Sequence, residues 1–228
     1  MNNTLWIFGP SMCLPFDLDR EEDGWPYLVS QRLEMTCQNF SKSAADNFFI
    51  YHCYLEARDQ IKKNDIVIIG WSHPSRKSFV LDRSNAKQIA ILNNSIYYKT
   101  QTQEFIRSKN AVNDTWQKFL QLKKPSNKGV EYYDTWFTEY YSEYEQRCNF
   151  QSYFDSVEHT CKGFYIPFFF SKESTHGIDV DGAGYMADFV LEHDVAISEN
   201  NCHLNEIGHK LWADNLIKYI KKIKINYS

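Results

Sequence analysis

The sequence lacks a long apolar run and lacks an excess of positive charge. No stretch approaches the ~20 consecutive apolar residues that a membrane-spanning helix needs. The first residues, MNNTLWIFGPS, have no cationic start followed by a long apolar segment, so no signal peptide is predicted. A net charge of −4 predicts no basic surface for nucleic acid or for an anionic membrane. We therefore expect a cytoplasmic protein that binds neither nucleic acid nor membrane.

Glycine and paired cysteines are also scarce. Only nine of the 228 residues are glycine and no G-x-G-x-x-G occurs, which disfavours a nucleotide-binding protein of flavodoxin type. The six cysteines show no C-x-x-C pair and no repeated spacing, so we expect reduced thiols. The sequence predicts no metal and no other cofactor.

Short apolar runs alternate with helical spacing over the first 70 residues. Residues 5–8 and 65–70 predict buried strands, the second of them an unbroken β-branched run. A further short strand is expected around 34–40, and helices are expected around 25–33 and 44–63. This alternation predicts a parallel sheet with crossover helices.

The second half of the chain breaks this rhythm. Residues 80–160 contain few strand signals and a tyrosine-rich run, which we interpret as a mostly helical insertion within a single domain of 1–228. A buried strand is expected over 163–170, although Pro167 is awkward for a central strand. A final amphipathic helix is expected to begin near 203–205.

Polar residues follow the predicted strands at their carboxyl ends, where open parallel sheets bind ligands. Ser11 follows the first strand, residues 39–47 follow the second, and residues 70–76 follow the third. His203 would join them from the start of the last helix. A serine on a tight turn, a histidine, and amide donors from two further loops are the parts of an acyl-transfer site.

These segments resemble the sequence blocks of the SGNH (GDSL-type) hydrolases. G-P-S at 9–11 stands where the family has Gly-Asp-Ser, and the asparagine and glycine of the second block fall at Asn39 and Ala44. G-W-S at 70–72 corresponds to Gly-x-Asn, and N-N-C-H-L-N-E-I-G-H at 200–209 corresponds to Asp-x-x-His-Pro-Asn-x-x-Gly-His. The third block and the x-P-x-R after it are similar to a subset common in phages and bacteria.

The resemblance implies a flavodoxin-like three-layer α/β/α fold and a serine hydrolase that acts on an ester. It implies Ser11 as the nucleophile and His203 as the general base. Asn200 falls where the family keeps the aspartate that orients the histidine. By analogy, the substrate would be an ester of a glycan or of a small molecule, and an acetylated carbohydrate is the first class to consider.

The same resemblance assigns the remaining site residues. The oxyanion hole would use the backbone amides of the nucleophile and of Ala44, together with Ser72 or Asn47. Arg76 would either bind a carboxylate or phosphate of the substrate or pair with a neighbouring acidic residue, and Trp71 is assigned to substrate binding.

Several family positions carry different residues here, among them Ala44 at the glycine of the second block. Pro10 and Asn200 each stand where the family has an aspartate, and Ser72 stands where it has an asparagine. An asparagine can hold a histidine ring but supplies no negative charge. These differences also describe a catalytically silent SGNH fold that binds a glycan or a protein, which is the alternative hypothesis.

Two cysteines and a second histidine lie beside the candidate site. Cys13 and Cys202, with His203, suggest a thiol nucleophile or a metal site, but their spacing matches no standard ligand set. His209 is expected to pack or to form a hydrogen bond within a helix interface.

Overall fold

Strands and helices alternate along the first part of the chain, as the sequence predicts. The computed structural model describes residues 3–15, 18–43, 45–73, 77–80, 89–92, 142–175, 177, 182–198 and 201–226. The strands in these ranges are β1 (Thr4–Phe8), β2 (Thr36–Asn39), β3 (Ile66–Trp71), β4 (Lys77–Val80), β5 (Ile89–Leu92), β6 (Phe164–Phe169), β7 (Ala196–Ser198) and β8 (Asn201–Leu204). The α-helices there are α1 (Trp25–Arg32), α2 (Asn47–Ala57), α3 (Glu143–Thr160), α4 (Met186–His193) and α5 (Glu206–Asn226).

The central sheet is parallel, and its described strands follow the order β2-β1-β3-β6. β3 is buried along its whole length, which explains why its sequence is continuously apolar rather than alternating. The predicted parallel sheet is thus confirmed. Because the strands are parallel, the loops that follow β1, β2 and β3 meet at one edge of the sheet.

Helices cover both faces of the sheet. Leu5 and Ile7 of β1 pack into one apolar cluster with α1, α4 and α5. Trp6 and Phe8, which point the opposite way along the same strand, pack into a second cluster with α2 and α3. This arrangement confirms the three-layer α/β/α fold that the resemblance implied.

Pro167 lies inside β6, although a proline is unfavourable within a central strand. β6 is the last strand of the described sheet, and Pro167 pairs with Ile69 of β3 on its inner side. On its outer side the carbonyl of Pro167 accepts a hydrogen bond of 2.8 Å from the N–H of Ala183. A proline is tolerated here because an edge position does not require its missing N–H.

The range expected to be an insertion, 80–160, is described only at its two ends. β4 and β5 form an antiparallel pair. α3 lies against the sheet, with Phe150, Phe154 and Val157 buried in the cluster beside α2. The division into a single domain with an insertion therefore stays a prediction.

The segment before the last helix differs from the expectation. The helix begins at Glu206, and residues 201–204 form β8, which pairs with β7 as a short antiparallel hairpin. His203 consequently lies on a strand rather than at the start of a helix. No helix in the described ranges is both long and apolar enough to cross a lipid bilayer.

Candidate active site

Ser11 begins a 3-10 turn at Ser11–Cys13, here called the serine turn, directly after β1. Its side chain is largely buried, with 5% of the residue exposed. The backbone carbonyls from position 10 to position 13 all accept hydrogen bonds, which fixes the path of the turn. The donor and acceptor pairs are Cys13 N to Pro10 O (3.0 Å), Leu14 N to Ser11 O (2.9 Å), Trp25 Nε1 to Met12 O (2.8 Å) and Asn39 Nδ2 to Cys13 O (2.9 Å).

Gly9 allows the serine turn to pack tightly against the sheet. A Cβ atom at this position would lie 2.3 Å from Sγ of Cys13 and 3.3 Å from the carbonyl oxygen of Gly70. Any side chain would therefore push the turn away from β3. The glycine before Pro10 is required by this close approach rather than by an unusual backbone angle.

The loop after β2 is tied to the serine turn by Asn39. The Asn39 amide donates to the carbonyl of Cys13 and accepts from the N–H of Ser41 at 3.0 Å. The N–H of Lys42 donates to the carbonyl of Gly9 at 3.0 Å. These bonds bring the second block beside the first. Ala44, the predicted oxyanion donor of this loop, lies outside the described residues.

The loop after β3 is held by a side-chain amide. Oδ1 of Asn47 accepts from the backbone N–H of Ser72 at 2.7 Å, and its Nδ2 donates to the Ser72 carbonyl at 3.3 Å. Both residues are buried. The two alternative oxyanion donors are thus in contact, because the side-chain amide of Asn47 forms hydrogen bonds with the backbone of Ser72.

The two residues assigned to substrate binding are placed differently. Trp71 is fully buried, donates its indole N–H to the Tyr165 hydroxyl at 2.8 Å, and packs edge-on against Phe150. These contacts make Trp71 a core residue, so its assignment to substrate binding has no support from its position. Arg76 lies outside the described residues.

His203 is held by a neighbour that the sequence comparison did not single out. Nδ1 of His203 lies 2.6 Å from Oδ1 of Asn201, and the backbone N–H of His203 donates to the same oxygen at 3.2 Å. Because that atom accepts from a backbone N–H, it is the amide oxygen. It therefore also accepts from Nδ1, which carries the proton and leaves Nε2 as the basic nitrogen. Asn200, the predicted orienting residue, lies outside the described residues.

The serine turn and β8 lie next to each other, with Cα atoms of the two elements within 8 Å. Asn205, two residues after His203, explains why β8 ends where it does. Asn205 caps α5 by accepting from the N–H of Gly208 at 2.8 Å, and it donates to the carbonyl of Ala196 at 3.2 Å. The cap ends β8 one residue after His203 and keeps that strand against β7.

A thiol nucleophile at Cys13 is disfavoured. Burial raises the pKa of the Cys13 thiol to about 12, so the thiol stays protonated at neutral pH. The side chain of Cys202 lies outside the described residues. Among the side chains that the structure describes, no group of three or more histidine, cysteine or acidic residues could hold a metal ion.

Solved esterase structures have a similar fold. The chain is similar to the psychrotrophic esterase EstA from Pseudoalteromonas sp. in a form inhibited by monoethylphosphonate, with a TM-score of 0.51 and 11% identity over 97% of this chain and 98% of that one. It is also similar to a member of the lipolytic protein G-D-S-L family from Veillonella parvula, with a TM-score of 0.51 and 11% identity over 94% of this chain and 96% of that one. No family model matches the sequence, and no curated protein matches it at a significant level.

These likenesses confirm, at the level of the fold, the resemblance to the SGNH (GDSL-type) hydrolases. They cover nearly the whole chain, so the fold does not depend on one motif. The relation to a phage and bacterial subset stays a prediction.

Proposed function

We propose that the protein is a serine esterase in which Ser11 is the nucleophile and His203 the general base. The observation that carries the proposal is the closeness of the serine turn to β8, where His203 is held in one tautomer by Asn201. A fixed Nδ1–H leaves Nε2 to take the proton of a serine hydroxyl, which is the arrangement that activates a weak nucleophile.

The reaction would run in two steps. The Ser11 hydroxyl attacks the ester carbonyl, Nε2 of His203 takes its proton, and the same proton passes to the departing alcohol. Water then attacks the acyl-enzyme, again losing a proton to His203, and the acid is released with Ser11 restored. The negative charge on the carbonyl oxygen would be met by backbone amides of Ser11 and Ala44.

We assign the third oxyanion donor to the contact between Asn47, at the start of α2, and Ser72, directly after β3. Nδ2 of Asn47 carries two N–H groups, of which one points to the Ser72 carbonyl. The second N–H of Asn47 and the hydroxyl of Ser72 are the candidate donors. Removing one such donor costs ~10²–10³ in turnover in a known protease.

The proposed substrate is a short-chain ester, with an O-acetyl group on a carbohydrate as the first class to test. The family resemblance supports this choice, as do the many aromatic residues in the range 80–160. Fold similarity alone does not identify a substrate.

Hydrolysis of p-nitrophenyl acetate by the wild type and by Ser11→Ala and His203→Ala tests the proposal. We expect both variants to lose turnover by ~10³-fold or more, as when one member of a catalytic group is removed. Ser174→Ala is the matched control, because Ser174 is also buried and also follows a strand of the sheet. Turnover equal in all four proteins would favour the silent binding fold instead.

A further inference from the structure

His209 is a buried histidine that the proposed reaction does not use. It lies on α5 with 1% of its surface exposed. Its Nδ1 lies 3.2 Å from the backbone nitrogen of Trp25, which donates its N–H to the ring. Within the described residues its Nε2 has no hydrogen-bond partner. The contact with Trp25 is therefore the polar interaction that accounts for a histidine at this position.

The bond from Trp25 completes the N-terminus of α1. The residue before the helix is Gly24, which has no side chain to cap it. The N–H groups of Tyr27 and Leu28 donate to the Gly24 carbonyl, and Pro26 has no N–H. The N–H of Trp25 is the remaining donor of the first turn, and α5 supplies its acceptor.

The same tryptophan holds the serine turn. Its indole N–H donates to the carbonyl of Met12 at 2.8 Å, one residue after Ser11. The Trp25 ring is fully buried and packs edge-on against Phe168, with the ring centroids 5.8 Å apart. A shift at the start of α1 would therefore move the indole and, with it, the backbone beside Ser11.

His209 is suited to this contact because it is neutral. Burial, and after it the positive charge of His203, lowers the pKa of His209 to about 4. Its Nδ1 therefore remains an acceptor when His203 takes up a proton. The protonation state of His209, which accepts the N–H at the start of α1, therefore does not change during turnover.

We propose that His209 and Trp25 are positioning residues that set the distance between Ser11 and His203. His209 lies on the same chain segment as His203 and fixes where α1 begins, and the indole of Trp25 fixes the serine turn. This inference rests on the proposed esterase function, and it assigns no chemical step to either residue.

Steady-state kinetics of His209→Leu and Trp25→Phe test the proposal. His209→Leu removes the acceptor, and Trp25→Phe removes the indole N–H but keeps a ring. We expect each to lower kcat by ~10- to 100-fold, with KM within about twofold, because small misplacements of reacting groups act on the chemical step. The double variant is expected to be no slower than the slower single variant, because both changes break one connection.

Two further variants separate positioning from loss of stability. His209→Asn places an amide oxygen near the position of Nδ1 and should restore most of kcat. Asp214→Ala breaks the Arg32–Asp214 ion pair, which joins α1 and α5 near the other end of α1, and should leave kcat unchanged. All variants are compared well below their unfolding temperatures. The pH at which kcat falls on the acid side should stay the same, since a neutral residue has been replaced.

Turnover of His209→Leu equal to that of Asp214→Ala would overturn the inference. So would a loss of kcat in the double variant equal to the product of the two single losses, or a change in the pH at which kcat falls on the acid side.

Hydrogen exchange of the Trp25 indole, assigned by its absence in Trp25→Phe, gives a readout besides activity. We expect faster exchange in His209→Leu than in Asp214→Ala, and equal exchange would overturn the inference at any turnover. Absence of Ser11-dependent turnover in the wild type would overturn the esterase proposal, whereas faster indole exchange in His209→Leu than in Asp214→Ala would still support the link from His209 to Trp25.

Discussion

His203 is oriented by an amide rather than by a carboxylate in the described part of the site. Asn201 fixes the Nδ1–H tautomer as a carboxylate would, but in the proposed reaction it would supply only a dipole to the imidazolium formed as His203 takes the proton of Ser11. In a serine protease, replacing the orienting aspartate with asparagine costs ~10⁴ in kcat. A low intrinsic turnover is therefore expected even with correct geometry.

Asn201→Asp should raise turnover. A carboxylate at 2.6 Å from Nδ1 would stabilise the protonated ring, so we expect kcat/KM to rise ~10-fold or more and the acid limb to move to higher pH. The measurement is the pH–rate profile with p-nitrophenyl acetate. Asn200→Asp is the paired control, at the position to which the sequence resemblance assigned the orienting residue. A larger gain at Asn200 than at Asn201 would contradict the assignment of the orienting residue.

Gly9→Ala should disturb the serine turn through one identified collision. The new Cβ would meet Sγ of Cys13 at 2.3 Å, so we expect a loss of turnover and ~1–3 kcal/mol of stability. Cys13→Ala in the same chain removes that sulfur and should restore part of both. Urea unfolding and turnover of the two single variants and the double variant provide the test. No recovery in the double variant would place the conflict elsewhere, for example at the carbonyl of Gly70.

At the scale of elements, Asp65 joins the beginnings of β1 and β3. Its carboxylate accepts from the N–H groups of Thr4 and Lys62 and from the indole of Trp6, at 2.8–2.9 Å. Burial by itself would raise the pKa of Asp65, but these hydrogen bonds outweigh it and hold the pKa below its usual value. Asp65 thus stabilises the fold most when it is ionised.

The contribution of Asp65 should disappear in acid. Because the folded pKa lies below the unfolded one, the stabilisation is complete above the unfolded pKa and is lost as the pH falls through the folded pKa. Asp65→Asn should lower the free energy of unfolding at pH 7 by ~1–3 kcal/mol and reduce its decline between pH 5 and pH 2. Urea unfolding over this range is the measurement. Asp59→Asn, at an exposed carboxylate, should match the wild type.

Elements differ in how well the sequence predicts them. β1 and β3 follow from uninterrupted apolar runs, because a strand covered on both faces has no polar side to interrupt the pattern. β8 was missed, since a four-residue strand in a short hairpin carries no periodicity of its own and depends on β7 for its hydrogen bonds. The strand predicted over 163–170 is confirmed as β6, and only the reason that Pro167 is tolerated there depends on the sheet order.

At the scale of the whole molecule, the order of the blocks predicts the fold and part of the site. Ser11 follows β1 at the edge that the parallel topology determines, whereas His203 lies within β8 of the antiparallel hairpin that packs beside the serine turn. Asn201 could not be singled out, because its role depends on a local turn that places its oxygen on Nδ1. Trp25 and His209 could not be linked either, since 184 positions separate them and only the packing of α1 on α5 joins them.

The assignments to residues outside the described ranges stay predictions. Ala44, Arg76 and Asn200 lie outside the described residues, as does most of the tyrosine-rich range. The expected cytoplasmic location is likewise untested. The central claim does not depend on them, because Ser11, Asn201 and His203 are all described.

The most direct test is covalent labelling with a fluorophosphonate, with the modified residue located by peptide mass spectrometry. The account predicts one stoichiometric adduct, on Ser11, formed at least ~100-fold more slowly in His203→Ala because the base that activates the serine is gone. Labelling of Ser11 that is independent of His203, or an adduct on another residue with Ser11 unmodified, would contradict it.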